Sequence, residues 1–349
     1  WEERLIALTG LADLKDKRAI PVILEGAGTL EPSEPESEER LQAIKEALRK
    51  FGCMPSLING LNNPDMKFRS KVVAIEVIGE LQCAEAVPHL IKIMDGDLRE
   101  VRRASVLALA AIRGDKALQE LRKRIEDRDG HVRNAAITFL GRIGDKKSFP
   151  LILRHVDKEN YPDVLEETIK ALLKIDEKAL FTQREKLSPA IRVLIARYAA
   201  GAEILLTLSQ DQDVSVRVAA LSSLGRFSDG NTRTRLVQAL RDENAEARKV
   251  AVNALGSQNC CYDDITHSLR DSDMWVRLYA VKALGESRKP EAAASIIPLL
   301  YDKEVPVVLA TIEALIQLGR GDAVALSALQ SHPDEAVRER ISQIAERAE

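Results

Sequence analysis

Aromatic residues are scarce in this chain of 349 residues: Phe, Trp and Tyr make up 4%, while apolar residues as a whole reach 45%. An interior so poor in rings is built from Leu, Ile, Val and Ala, which suits close helix packing and argues against a large sandwich or barrel. Long apolar runs are missing too. Nothing approaches the ~18 residues that span a bilayer, and no charged, apolar, small-residue leader opens the sequence. The first residues, Trp1-Glu-Glu-Arg-Leu-Ile-Ala-Leu, read as the second helix of a helical pair, so the expectation is a chain trimmed or processed ahead of Trp1.

Cysteine and histidine are equally sparse. Cys53, Cys83, Cys260 and Cys261 form no C-x-x-C pair with a second ligand pair or histidine cluster, so neither a zinc site nor a disulfide framework is expected. Buried thiols in a reducing compartment, and hence a cytoplasmic location, follow from that reading. A vicinal bond between Cys260 and Cys261 is disfavoured by disulfide geometry. Standard catalytic signatures are missing: no G-x-S-x-G elbow, no phosphate loop, no H-E-x-x-H, no G-x-G-x-x-G. Gly319-Arg-Gly-Asp reads as a turn. No catalytic, metal or cofactor residue is assigned, and the chain is read as a non-enzyme without cofactor. A net charge of −3 gives no global field toward nucleic acid or anionic lipid.

What the sequence has in abundance is repetition. Asp129-Gly-His-Val-Arg133-Asn-Ala-Ala136 returns as Asp213-Val-Ser-Val-Arg217-Val-Ala-Ala220 and Asp273-Met-Trp-Val-Arg277-Leu-Tyr-Ala280, each followed by Leu-Gly. With the basic residue as marker, Arg69, Arg102, Arg133, Arg192, Arg217, Arg248, Arg277 and Arg338 align, and Leu165 and Val308 fill the slot where Arg is missing. Steps of 25 to 33 residues fit two short helices and two turns per unit. Prolines 88, 150 and 298 mark the first turn of an opening helix or a kink within it. The Gly closing each second helix reads as a left-handed C-terminal turn. Each unit buries its apolar face on its neighbours, so residues 1–349 are expected to form a single solenoid. Residues 29–39 depart from the rhythm. With two prolines and five acids they are expected to be a mobile acidic insertion.

The D-x-x-V-R-x-x-A-x-x-x-L-G pattern at 129–141, 213–225 and 273–285 resembles the HEAT-like repeats found in phycobilin lyases and many bacterial HEAT proteins, with weaker copies over most of the chain. The resemblance implies an all-α, right-handed superhelix, a HEAT/armadillo-like solenoid of about 11 helical hairpins. It also implies a ladder in which the Asp and Arg of neighbouring units fix the stacking, making Asp129, Asp213, Asp273, Arg133, Arg217 and Arg277 structural. Bidentate Arg–carboxylate geometry at helix starts gives the same expectation. Deoxyhypusine hydroxylases, a related enzyme class, hold a di-iron centre with His-Glu pairs; none of His89, His131, His155, His267 and His332 is followed by Glu.

Such a scaffold is expected to bind a protein or peptide along a groove lined by its second helices. The candidate wall lies one residue after the marker, at Arg103, Asn134, Val218, Lys249 and Leu278, and five after it, at Thr138, Ser222, Asn253 and Lys282. Trp275 occupies a slot that is polar or small in the other copies, and Tyr279 lies one helical turn on. Two readings stay open for the ring: an interaction hot spot, or a cap over a neighbouring turn. Residues 99–154 carry 14 Lys and Arg against 7 Asp and Glu. Solvated outer faces are the plain reading of that excess, with an acidic partner, or the acidic loop at 31–39, as the sharper one. The alternatives to a scaffold are a phycobilin-lyase-like enzyme or subunit, and nucleic-acid binding through 99–154, which the acidic total disfavours.

Overall fold

The computed structural model describes residues 2–30, 36–96, 98–319 and 328–348; the Arg320–Asp322 part of the predicted turn and residues 31–35 of the predicted insertion lie outside them. Among the described residues every regular element is helical. The chain divides into two compact units, Trp1–Leu180 and Phe181–Glu349.

In the first unit the helices Ala19–Thr29, Phe68–Glu80, Arg99–Ile112 and Gly130–Arg142 pack one on the next. Shorter opening helices such as Val87–Ile93 and Asp115–Lys123 lie between them in sequence. Pro88 and Pro150 sit in the first turn of their opening helices, where a missing N–H costs nothing. Helix Glu2–Asp13 packs mainly on Ser37–Phe51, which precedes Cys53 as Phe68–Glu80 precedes Cys83, so the contact fits the second-helix reading of its sequence. In the second unit Pro189–Tyr198, Val214–Leu224, Ala245–Ser257, Met274–Glu286 and Val305–Gln317 repeat the stacking.

The repeat glycine has a different role from the one its position suggests. None of Gly79, Gly141, Gly225, Gly256 and Gly285 has positive φ. Each instead sits where the next second helix crosses. A Cβ on Gly141 would lie 2.5 Å from the Ala171 Cβ, one on Gly256 2.6 Å from that of Ala283, and one on Gly285 2.6 Å from that of Ala314. The left-handed residue comes three positions later, at Gln82, Gly144, Asn259 and Arg288. The same register puts Lys71, not Arg69, in the marker slot of helix Phe68–Glu80, eight residues before Gly79; Arg69 instead donates to the Leu30 carbonyl.

Two further expectations are corrected. Cys53 and Cys83 form a disulfide across 30 residues, so the free-thiol reading holds only for Cys260 and Cys261. Their separation equals one repeat length, which brings loops of successive units side by side. The C-terminal part of the acidic insertion is not loop either. Helix Ser37–Phe51 begins there, with Glu38 and Glu39 in its first turn, where carboxylates complement the helix dipole.

Candidate interaction surface

Position along each second helix decides which side chains can reach a partner, and an ion ladder fixes those positions. Arg217 holds Asp242 in a bidentate pair at 3.0 and 3.1 Å, while its other nitrogen donates to the Asp211 carbonyl of its own turn. Arg248 repeats this toward Asp271, and Arg277 toward Asp302. With Arg192 on Asp211, the second unit carries one unbroken series from residue 192 to 302. In the first unit the series runs from Arg102 through Asp127 and Arg133 to Glu159. It ends at Glu159 and at Asp302, where Leu165 and Val308 stand in the next marker slots.

The acids divide the work. The arginine partner is the residue two before the helix cap, and it also accepts the backbone N–H of the cap residue, as Asp271 does from Asp273 at 2.9 Å. Asp129, Asp213, Asn244 and Asp273 are the caps, each accepting the N–H groups two and three residues on. The expected Asp–Arg ladder therefore exists, but its rungs are Asp127, Glu159, Asp211, Asp242, Asp271 and Asp302, with Asp129, Asp213 and Asp273 beside them as caps. Burial disfavours the charged form of Asp211, Asp242, Asp271 and Asp302, yet the arginine and backbone donors outweigh it and hold each carboxyl below its ordinary range.

With these contacts facing inward, a stripe of each second helix is left in water. In the first unit Arg103 and Thr138 are exposed and Asn134 is half-buried. All three line one groove of about 300 Å³ between helices Arg99–Ile112 and Gly130–Arg142, together with Leu107, His131 and Arg142. In the second unit Ser222, Asn253 and Lys282 are exposed, and Val218 and Lys249 are half-buried at the stripe's edge. Leu278 does not belong to it. At 6% exposure it is buried, as an apolar side chain gains by leaving water where Lys249 does not, and the half-buried Tyr279 takes its place.

Trp275 is 49% exposed, and so does not fold wholly onto a neighbouring turn. Two ammonium groups lie near the Tyr279 ring, Lys249 Nζ at 5.9 Å and Lys282 Nζ at 5.8 Å from its centroid. The basic excess of 99–154 is partly spent on internal ion pairs. Arg102 and Arg133 are ladder arginines, Arg122 pairs with Asp145, and Arg124 pairs with Glu120 and Asp95. Arg103 and Arg142 form no ion pair among the described residues. No three His, Cys, Asp or Glu side chains converge as a metal site requires, again among those residues.

The family described as HEAT repeats matches residues 54–138, 87–173, 202–263 and 262–348, most of the chain. The chain is a HEAT-repeat protein. No curated protein matches it. Among solved structures this HEAT-repeat chain is similar to Kap121p, with a TM-score of 0.55 and 14% identity over 93% of this chain and 45% of that one. It thus spans under half of Kap121p, and at that identity the likeness concerns the fold alone. Importin beta superposes with a TM-score of 0.45 at 15% identity, covering 94% of this chain and 50% of that one. Human deoxyhypusine hydroxylase superposes with a TM-score of 0.32 at 18% identity, covering 82% and 99%. The repeat contacts described above are what a HEAT array needs to stack, and no helix among the described residues is long and apolar enough to cross a membrane.

Proposed function

We propose that this HEAT-repeat protein is a non-enzymatic scaffold that binds a protein or peptide along the exposed stripe of its second helices. The observation that carries the reading is the contrast between the two sides of those helices. On one side the ladder and the Gly–Ala crossings recur with little change. On the other, equivalent positions hold Glu100, His131, Ser215, Glu246 and Trp275, all exposed and chemically unlike one another. A regular skeleton presenting a varied outer stripe suits distributed recognition with a few strong anchors.

Trp275 and Tyr279, flanked by Lys249 and Lys282, are the anchors in the second unit. A half-exposed ring contributes most of its area on association, so Trp275→Ala is expected to weaken capture of a partner from a cell extract by about 2 kcal/mol. Its melting curve should stay close to that of the parent. Loss of stability with undiminished capture by the folded fraction would make the ring a structural cap and contradict the assignment. The disulfide removes the support that free thiols gave to a cytoplasmic location, since such bonds persist in oxidising compartments.

A further inference from the structure

The first unit carries more than a single groove. A hollow of about 720 Å³ lies among the end of helix Ala19–Thr29, the start of Ser37–Phe51 and the exposed side of Phe68–Glu80. A second, of about 460 Å³, lies between Phe68–Glu80 and Arg99–Ile112 and shares Val72, Glu76 and Glu100 with the first. The groove of about 300 Å³ described above shares Arg103, Leu107 and His131 with the second. The three therefore form one continuous channel across successive second helices.

Charge changes sign along it. The first hollow is lined by Glu36, Glu38, Glu39, Glu76 and Glu100 against Lys45 and Arg69. Lys45 is committed to Glu76 at 2.8 Å, and Arg69 to the Leu30 carbonyl. Glu38 and Glu39 form no ion pair among the described residues. The last groove contains no acid at all, and its cations are Arg103 and Arg142, with His131 beside them. Apolar surface runs the whole way, with Phe68 45% exposed at the acidic end and Leu107 46% exposed at the basic end.

We infer that this channel takes an extended peptide segment of fixed polarity, cationic over Glu38 and Glu39, apolar against Phe68 and Leu107, and carboxylate-bearing at Arg103 and Arg142. The inference rests on the scaffold reading above and gives its first-unit partner a chemistry. Packed helices lie about 8–10 Å apart, so crossing these second helices spans roughly 20–30 Å. An extended chain covers that with about 6–9 residues. Opposite charges at the two ends select both composition and direction, because the reversed segment places like charges together. Nucleic acid fits poorly: its phosphates suit Arg103 and Arg142 but meet the glutamates at the other end.

The test uses the full chain and fluorescent peptides of eight residues with blocked termini. One carries two Lys, a Leu-rich middle and two Asp; another has the same composition with its charges interleaved. The blocked-charge peptide should bind at least about tenfold more tightly at low salt, and Arg103→Glu with Arg142→Glu should abolish the difference. Replacing its two Asp by Lys should restore binding to that double variant. Equal binding of the two peptides, indifference to the charge reversal, or tighter binding of a single-stranded oligonucleotide overturns the inference. Melting curves of the variant guard against unfolding. Trp275-dependent capture lies outside the channel, so it survives a failure here and identifies which of the two ideas has fallen.

Discussion

Arg217 shows what a single residue contributes. Its guanidinium is buried and bridges Asp242 and two carbonyls of its own turn. Arg217→Ala is expected to destabilise the protein by about 1–3 kcal/mol, most of it from the stranded Asp242 carboxylate, as a shift in the denaturation midpoint will show. An unchanged midpoint with lost partner binding would make it a recognition residue. The ladder also sets a pH dependence. Asp211, Asp242, Asp271 and Asp302 ionise below their ordinary range when folded, so their contribution is complete above the unfolded carboxylate pKa near 4 and is lost as pH falls through the folded values. Melting temperature should therefore drop on acidification below about pH 4, and a rise there would contradict the ladder. The arginine half of this network was legible in the sequence, because its spacing recurs. Its carboxylate half was misassigned to the caps, since Asp127-Arg-Asp129, Asp211-Gln-Asp213 and Asp271-Ser-Asp273 each offer two acids and only the fold tells which one faces the previous unit.

At the scale of the helix, close approach governs. Alanine ordinarily favours a helix over glycine by about 1 kcal/mol, so Gly10→Ala, with nothing within 4 Å of the new carbon, should be neutral or stabilising. Gly285→Ala should do the reverse and cost about 1–3 kcal/mol, because the added carbon meets Ala314. Paired melting curves of the two variants separate crossing from propensity, and parallel shifts would refute the account. Helix pairs, their turns and the opening-helix prolines were visible in the hydrophobic period and the punctuation. The glycine's role was not, since a Gly at a helix end has two physical uses and the sequence does not say which neighbour passes over it. Arg69 was misregistered for a related reason: two basic residues, Arg69 and Lys71, stand close together, and only the Gly79 crossing fixes which fills the slot. The Cys53–Cys83 bond was available as a separation equal to the repeat length, a signal that cysteine-pair motifs do not contain.

For the whole molecule, repetition makes the scaffold readable and leaves recognition to the residues that do not repeat. The exposure of most positions one and five after the marker arginines was legible in the sequence, and Leu278 is buried because hydrophobicity overrode position. The polarity of the first-unit channel was not legible, since Glu38, Arg103 and Arg142 meet only once their helices are stacked. Hydroxyl-radical footprinting of the partner-bound protein tests the central claim most directly, because two exposed aromatics lie on different elements. Trp275 is on a second helix, whereas Tyr301, 71% exposed, closes an opening helix. The account predicts that the partner protects Trp275, and with it Tyr279, while oxidation of Tyr301 is unchanged. Protection of Tyr301 with Trp275 still fully reactive would place recognition on the opening helices and contradict it.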